Sequence, residues 1–186
     1  MISVIVTARD ERKLARSLAA LVPAAVEGLV REVSVIDLGS QKGIAMIAEA
    51  AGCRLVRNEA DLAGALARTA AEARSPFLLF LSGEVMLGQA WAGLAEDFID
   101  EANSAQRAAL FLGRGARASV AMPDSLALRF HLFRPAPPAM GVLLPTTFYA
   151  ELNAHQEQAR EGERALARKI GARRLSLMRA PAERRD

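Results

Sequence analysis

Three apolar segments in the first half of the chain each run out into polar or acidic residues, and the side chains able to do chemistry collect at those junctions. Ile2-Ser3-Val4-Ile5-Val6 leads into Thr7-Ala8-Arg9-Asp10-Glu11, and Val33-Ser34-Val35-Ile36 leads into Asp37-Leu38-Gly39-Ser40. Phe77-Leu78-Leu79-Phe80-Leu81 leads into Ser82-Gly83-Glu84. In an open α/β sheet, ligands bind outside the carboxyl ends of the strands, so this placement predicts a polar pocket. Other chemistries are poorly supplied. His131 and His155 have no His, Cys or Asp at ligand spacing, which argues against zinc. Cys53, the single cysteine, rules out an intramolecular disulfide, and its place between a helix stop and a short strand reads as a buried, inert thiol. No glycine-rich phosphate loop follows the first strand.

The elements that must position these junctions follow from the apolar rhythm. Leu14, Leu18 and Leu21 recur at helical spacing, with Arg12, Lys13 and Arg16 between them, and Pro23 and Gly28 mark the end of that helix. Ile44, Ile47 and Ala48 form a second helical stripe from Lys42 to Ala51, with Gly52 as its stop before a short strand, Arg54-Leu55-Val56. Leu62, Leu66 and Ala70 continue the pattern until Ser75-Pro76 breaks it. Repeated strand–helix units with strands apolar throughout predict an α/β fold with a parallel sheet covered on both faces.

Further along, a helix is expected from about Gln89 to Ala102 with Trp91, Leu94, Ala95 and Phe98 inward. Ala108 to Leu112 and Ala118 to Met122 read as strands separated by a turn at Gly113-Arg114-Gly115, and Ser125 to Phe133 reads as either helix or strand. Pro135, Pro137 and Pro138 suggest a loop. Gly141-Val142-Leu143-Leu144 leads through Pro145 into a helix at Thr146 to Leu152, and a last helix from Gly162 to Ile170 stops at Gly171. Arg174 to Met178 is placed to close the sheet.

Composition sets the outer bounds. At 186 residues and 52% hydrophobic, the chain closes one sizeable core, and no internal repeat or linker divides it. The 24 basic against 21 acidic groups leave a net charge of +3, a mild excess that names no partner. Nucleic acid is disfavoured, because aromatics are only 5% and do not interleave with a basic stripe. Arg173, Arg174, Arg179, Arg184 and Arg185 read as a solvated basic tail rather than a lipid-binding patch. Met1 leads straight into a strand, and no apolar run approaches the ~20 residues that span a bilayer. The chain is therefore expected to be cytoplasmic, with membrane contact at most peripheral.

In order and spacing, these motifs resemble the family-two glycosyltransferases with a GT-A fold, most of all short bacterial members without a membrane segment. The resemblance covers nearly the whole chain. Such proteins open with a strand ending Pro-Thr-x-Asn-Glu, where Thr7-Ala8-Arg9-Asp10-Glu11 stands here. Their second strand ends Asp-Gly-Gly-Ser-x-Asp-Gly-Thr, and Asp37-Leu38-Gly39-Ser40-Gln41-Lys42-Gly43-Ile44 is similar. Gly64-Ala65-Leu66-Ala67-Arg68-Thr69 resembles the donor segment, and Ser82-Gly83-Glu84 occupies the place of the metal-binding Asp-x-Asp, with one carboxylate of two kept. Gly141 to Tyr149 resembles the acceptor-side strand and helix start, with Ala139-Met140 in place of a polar pair. Gly162-Glu163 stands where the family's catalytic Glu-Asp begins a late helix.

The resemblance implies a GT-A-like (Rossmann-like), mostly parallel sheet flanked by helices on both faces. It forms a single domain over residues 1–180, followed by a polar tail at 181–186. It also implies transfer of a sugar from a nucleotide-sugar donor to a lipid or small-molecule acceptor. Thr7, Glu11 and Asp37 would line the nucleoside, with Ser82 at the nucleotide and Arg68 at the diphosphate. Glu84 would hold Mg²⁺ or Mn²⁺ if the enzyme is active, and Glu163 would be the base. Each residue also has a plainer reading. Asp37 caps a turn, Glu11 and Glu163 favour helix starts, and Arg9 is a solvated surface residue. Arg68 pairs with Glu72 at i+4, Glu161 pairs with Arg164 at i+3, and Glu84 is a solvated loop carboxylate. The competing function is a degenerate, non-catalytic GT-A-like domain that binds a nucleotide or a protein.

Overall fold

The strand–helix alternation closes into one seven-stranded sheet in the computed structural model, which describes residues 1–39, 42–57, 61–102, 106–112 and 140–178. The strands are β1 (Ile2–Ala8), β2 (Val30–Asp37), β3 (Arg54–Arg57), β4 (Phe77–Ser82), β5 (Ala108–Leu112), β6 (Met140–Pro145) and β7 (Leu175–Met178). Between them lie α1 (Glu11–Ala19), α2 (Val22–Val26), α3 (Lys42–Ala50), α4 (Leu62–Ala71), α5 (Trp91–Ala102), α6 (Thr146–Leu152), α7 (His155–Glu161) and α8 (Glu163–Ile170). The strand order is β3-β2-β1-β4-β6-β5-β7.

The sheet is mixed rather than parallel throughout. β1 pairs in parallel with β2 and β4, β2 with β3, and β5 with β7, while β6 runs antiparallel to both β4 and β5. Side chains alternate across the pleat into two cores. Val4, Val6, Leu79 and Leu81 meet α1, α3 and α5 on one face. Ile5, Leu78 and Phe80 meet α4, α6 and α8 on the other. Burial on both faces explains why β1 and β4 are apolar along their length.

Two short helices depart from the sequence reading. Pro23 falls inside the first turn of α2 instead of ending the preceding helix, because a proline there gives up no intrahelical hydrogen bond. α7 carries one buried residue, Gln158, and so has no apolar stripe to announce it. Asn153 in the left-handed region (φ 48°) turns the chain from α6 into α7, and Gly162 (φ 69°) turns it from α7 into α8. The helix expected near Gln89 begins at Trp91, whose indole N–H donates to the Ala20 carbonyl at 3.0 Å and ties α5 to the end of α1. Cys53 is half-buried rather than fully buried, and burial pushes its thiol pKa up, consistent with an inert group. The expected strand at Ala118 to Met122, the ambiguous segment Ser125 to Phe133, the Gly113 turn, the proline loop and the 181–186 tail lie outside the described residues. No helix among the described residues is long and apolar enough to cross a membrane.

Candidate functional site

At the carboxyl edge of the central strands, Thr7 stands opposite Ser82 across β1 and β4, and Ala8 stands opposite Asp37 across β1 and β2. The turns that follow are pinned to the end of β1 from both sides. Leu38 N–H donates to the Ala8 carbonyl at 2.8 Å, and Gly83 N–H donates to the Thr7 carbonyl at 2.7 Å. Both turns use glycine where they cross β1. A Cβ at Gly39 would stand 3.1 Å from the Arg9 carbonyl oxygen, and one at Gly83 would stand 3.2 Å from that of Thr7. The strand tips thus bring Thr7, Asp37 and Ser82 to one edge of the sheet, with Thr7 and Ser82 on one face of the pleat and Asp37, beside Ala8, on the other.

Asp37 Oδ1 accepts from Gly39 N–H at 2.8 Å, so this carboxylate does shape its turn. Glu11 opens α1, and its carboxylate leans across to the start of α3, where a Cβ on Gly43 would lie 1.6 Å from Glu11 Oε2. Glu11 therefore borders the same edge, next to Asp37's turn. Its carboxylate lies close to the start of two helices, a favourable place for negative charge.

α4 descends from the carboxyl edge, with Asp61 capping it by accepting from Gly64 N–H at 2.9 Å. Arg68 folds back toward this cap: a Cβ on Gly64 would lie 2.0 Å from Asp61 Oδ2 and 3.0 Å from Arg68 Nη1. The i+4 pair expected between Arg68 and Glu72 is replaced by one between Glu72 and Arg54 on β3. Glu161 likewise pairs with Arg168, not through the expected i+3 spacing to Arg164. Gly162 breaks the helix between them, and i+3 neighbours face each other only on a continuous helix.

Glu84 is not merely solvated. Its Oε1 lies 2.6 Å from Lys13 Nζ on α1, and both side chains are about half exposed, 59% and 52%. The hydrogen bond and charge of Glu84 raise the Lys13 pKa. Glu84 N–H donates to Ser82 Oγ at 3.4 Å, and Asp10 Oδ1 accepts from Lys13 N–H at 2.9 Å, so both ends of this bridge are held by their own turns. Sequence reasoning gave Lys13 no role, because its partner is 71 residues away.

The Mg²⁺ or Mn²⁺ implied by the resemblance meets a poor donor set. Among the described residues no three His, Cys, Asp or Glu side chains are grouped to hold a metal. Mg²⁺ binds through one or two carboxylates plus substrate phosphates. Here one carboxylate stands in place and an ammonium already occupies it. The described residues do not fit the ion.

Glu163 begins α8 and is 7% exposed. Burial pushes its carboxyl up to about 7, against the downward pull of a backbone N–H at the helix start. The nearby Tyr149 hydroxyl donates to Gln158 Oε1 at 2.9 Å, and its ring lies on Phe80 with centroids 4.6 Å apart. Burial first, and the Glu163 charge second, raise the Tyr149 pKa. Gln158 Nε2 is buried with no hydrogen-bond partner among the described residues. This polar cluster packs on the face of the sheet opposite α1, beside β4.

Arrangement and topology define an α/β domain of the GT-A type, with the edge of β1, β2 and β4 as its candidate ligand site. No protein-family model matches the sequence, and no curated protein matches it. Solved structures do match, among them TarS and glucosyl-3-phosphoglycerate synthase, which are family-two glycosyltransferases with this fold. Over 97% of its length the chain aligns with S. aureus TarS at a TM-score of 0.68 and 17% identity, spanning 35% of that chain. Residues 1–349 of TarS in complex with UDP align over 95% of this chain at a TM-score of 0.64 and 18% identity, and 57% of that chain is covered. Glucosyl-3-phosphoglycerate synthase from Mycobacterium tuberculosis, in complex with Mn²⁺, UDP and glucosyl-3-phosphoglycerate, aligns over 95% of this chain. That match has a TM-score of 0.56 and 19% identity, and it spans 68% of the synthase. At such identities the likeness establishes the fold. The chain spans 57% of the TarS 1–349 fragment and 35% of the longer TarS chain.

Proposed function

We propose that this domain binds a nucleotide sugar at the carboxyl edge of β1, β2 and β4 and transfers the sugar to a hydroxyl of a lipid or small-molecule acceptor. The observation that carries this reading is the convergence of Thr7, Asp37 and Ser82 on that edge, with the turns after β2 and β4 fastened to β1. Thr7, Glu11 and Asp37 line the nucleoside, with Ser82 beside it. Arg68 approaches the diphosphate from α4. In the reaction the acceptor oxygen forms a bond to the anomeric carbon as its proton passes to Glu163, and the carbon–oxygen bond to the nucleoside diphosphate breaks with the electron pair leaving on phosphate. A carboxylate whose pKa lies near 7 suits that task, since the best general base titrates near the working pH.

A second reading is a GT-A-like module that binds nucleotide without turnover. It is favoured by one observation, the engagement of Glu84 by Lys13 where the resemblance implies a metal ligand. The two structures with UDP bound support a nucleoside diphosphate as first ligand to try. Calorimetry with a panel of nucleoside diphosphates, followed by a hydrolysis assay on the corresponding nucleotide sugars, tests the proposal. Binding with release of the nucleoside diphosphate supports the transferase, binding without it supports the module, and silence from every nucleotide refutes both.

A further inference from the structure

Lys13 stands on the first turn of α1, immediately after the tip of β1, and reaches across to the loop that leaves β4. We propose that the Lys13 ammonium meets the diphosphate at this edge in place of a metal ion, alongside Arg68, and that nucleotide binding is independent of divalent metal. The inference rests on the nucleotide-binding reading above and assigns its electrostatics.

Three features support it. The first is charge. Ser82 is neutral, which leaves Glu84 as the carboxylate of its motif, and the Lys13–Glu84 pair already balances it. A divalent ion entering here would gain one ligand and face an ammonium 2.6 Å from that ligand. The second is placement. Thr7 of β1 and Ser82 of β4 are direct neighbours, so Lys13 and Glu84 extend from the strand tips that would hold the nucleotide. The third is fixation. Asp10 holds the Lys13 backbone as helix cap, Ser82 Oγ holds the Glu84 backbone, and Glu84 holds the ammonium. An ammonium has three N–H donors, and Glu84 engages one, so a phosphate oxygen can be met without breaking the pair. Glu84 is then a positioning residue, not a metal ligand.

The two assignments of Glu84 predict opposite outcomes. Calorimetric titration with UDP, in EDTA and again in Mn²⁺, is carried out on the wild type and on Lys13→Ala, Lys13→Arg and Glu84→Gln, with circular dichroism confirming each fold. Metal-independent binding gives the wild type the same affinity in both buffers. Lys13→Ala then loses about tenfold to a hundredfold in EDTA, the worth of one charge-assisted hydrogen bond, and Lys13→Arg recovers most of it. Glu84→Gln, which loosens the hold on the ammonium, weakens metal-free binding less than Lys13→Ala does and leaves it the same in EDTA and in Mn²⁺. If the wild type needs Mn²⁺ and Glu84→Gln abolishes that dependence, the inference is overturned while the nucleotide site stands. Equal affinity of wild type and Lys13→Ala in EDTA also overturns it. Absence of binding in either buffer rejects the nucleotide reading itself, and this inference with it.

Discussion

Replacing Glu163 by glutamine should make the protein more stable at neutral and alkaline pH while removing any transfer activity. The carboxyl is buried at the start of α8, and its pKa rises from 4.5 to about 7. A raised acid pKa means that the folded state holds a proton which the unfolded chain releases near 4.5. Below that pH both states are protonated and nothing is lost. Between 4.5 and about 7 the folded state binds more protons, so stability falls as pH rises, and the loss is complete above 7. At about 1.4 kcal/mol for each tenfold step, the penalty is on the order of 3 kcal/mol. Glutamine keeps the shape and carries no titrating proton, so Glu163→Gln should escape the decline. Urea denaturation of both proteins at pH 4.5 and pH 8 measures it: the difference in unfolding free energy should move toward the variant by about 3 kcal/mol, or roughly 6–12 °C in Tm for a chain of this length. Parallel pH profiles for the two proteins would refute the burial argument.

The same pKa makes the kcat/KM of an active enzyme rise through pH 7 to a plateau, as the free base appears; a profile flat from pH 6 to 8 would remove Glu163 from the reaction. Tyr149→Phe should cost about 1–3 kcal/mol in urea denaturation, because it takes from the buried Gln158 Oε1 the hydroxyl that donates to it. Gly141→Ala should cost about 1–3 kcal/mol by the same measurement, since its Cβ would stand 2.5 Å from Leu81 Cδ2 in the packed core. Gly43→Ala should displace the end of the Glu11 side chain, lowering nucleotide affinity in calorimetry with little change in Tm.

The sequence made the central strands legible because burial on both faces leaves a continuous apolar run, as in Phe77 to Leu81. The direction of β6 was not legible, since Gly141-Val142-Leu143-Leu144 reads the same whether it pairs in parallel or antiparallel. α7 escaped notice for a related reason: its inward residue is Gln158, which an apolar count passes over. At the candidate site, residues on neighbouring strand tips were readable. Thr7, Asp37 and Ser82 follow apolar runs, and register alone brings them to one edge of the sheet. Contacts between distant loops were not. Local spacing suggested Arg68 for Glu72 and Arg164 for Glu161, whereas the fold supplies Arg54 and Arg168. Lys13 and Glu84 show the same limit, because no periodic pattern joins the first turn of one helix to a loop beyond the sixth element that follows it.

The central claim is that one edge of the sheet, at the tips of β1, β2 and β4, holds a nucleotide. A crystal of the protein soaked with UDP tests it most directly. The account predicts a nucleotide seated against Thr7, Asp37 and Ser82, with its diphosphate toward Lys13; a nucleotide bound at another surface, or a saturating soak that leaves this edge empty, would contradict it.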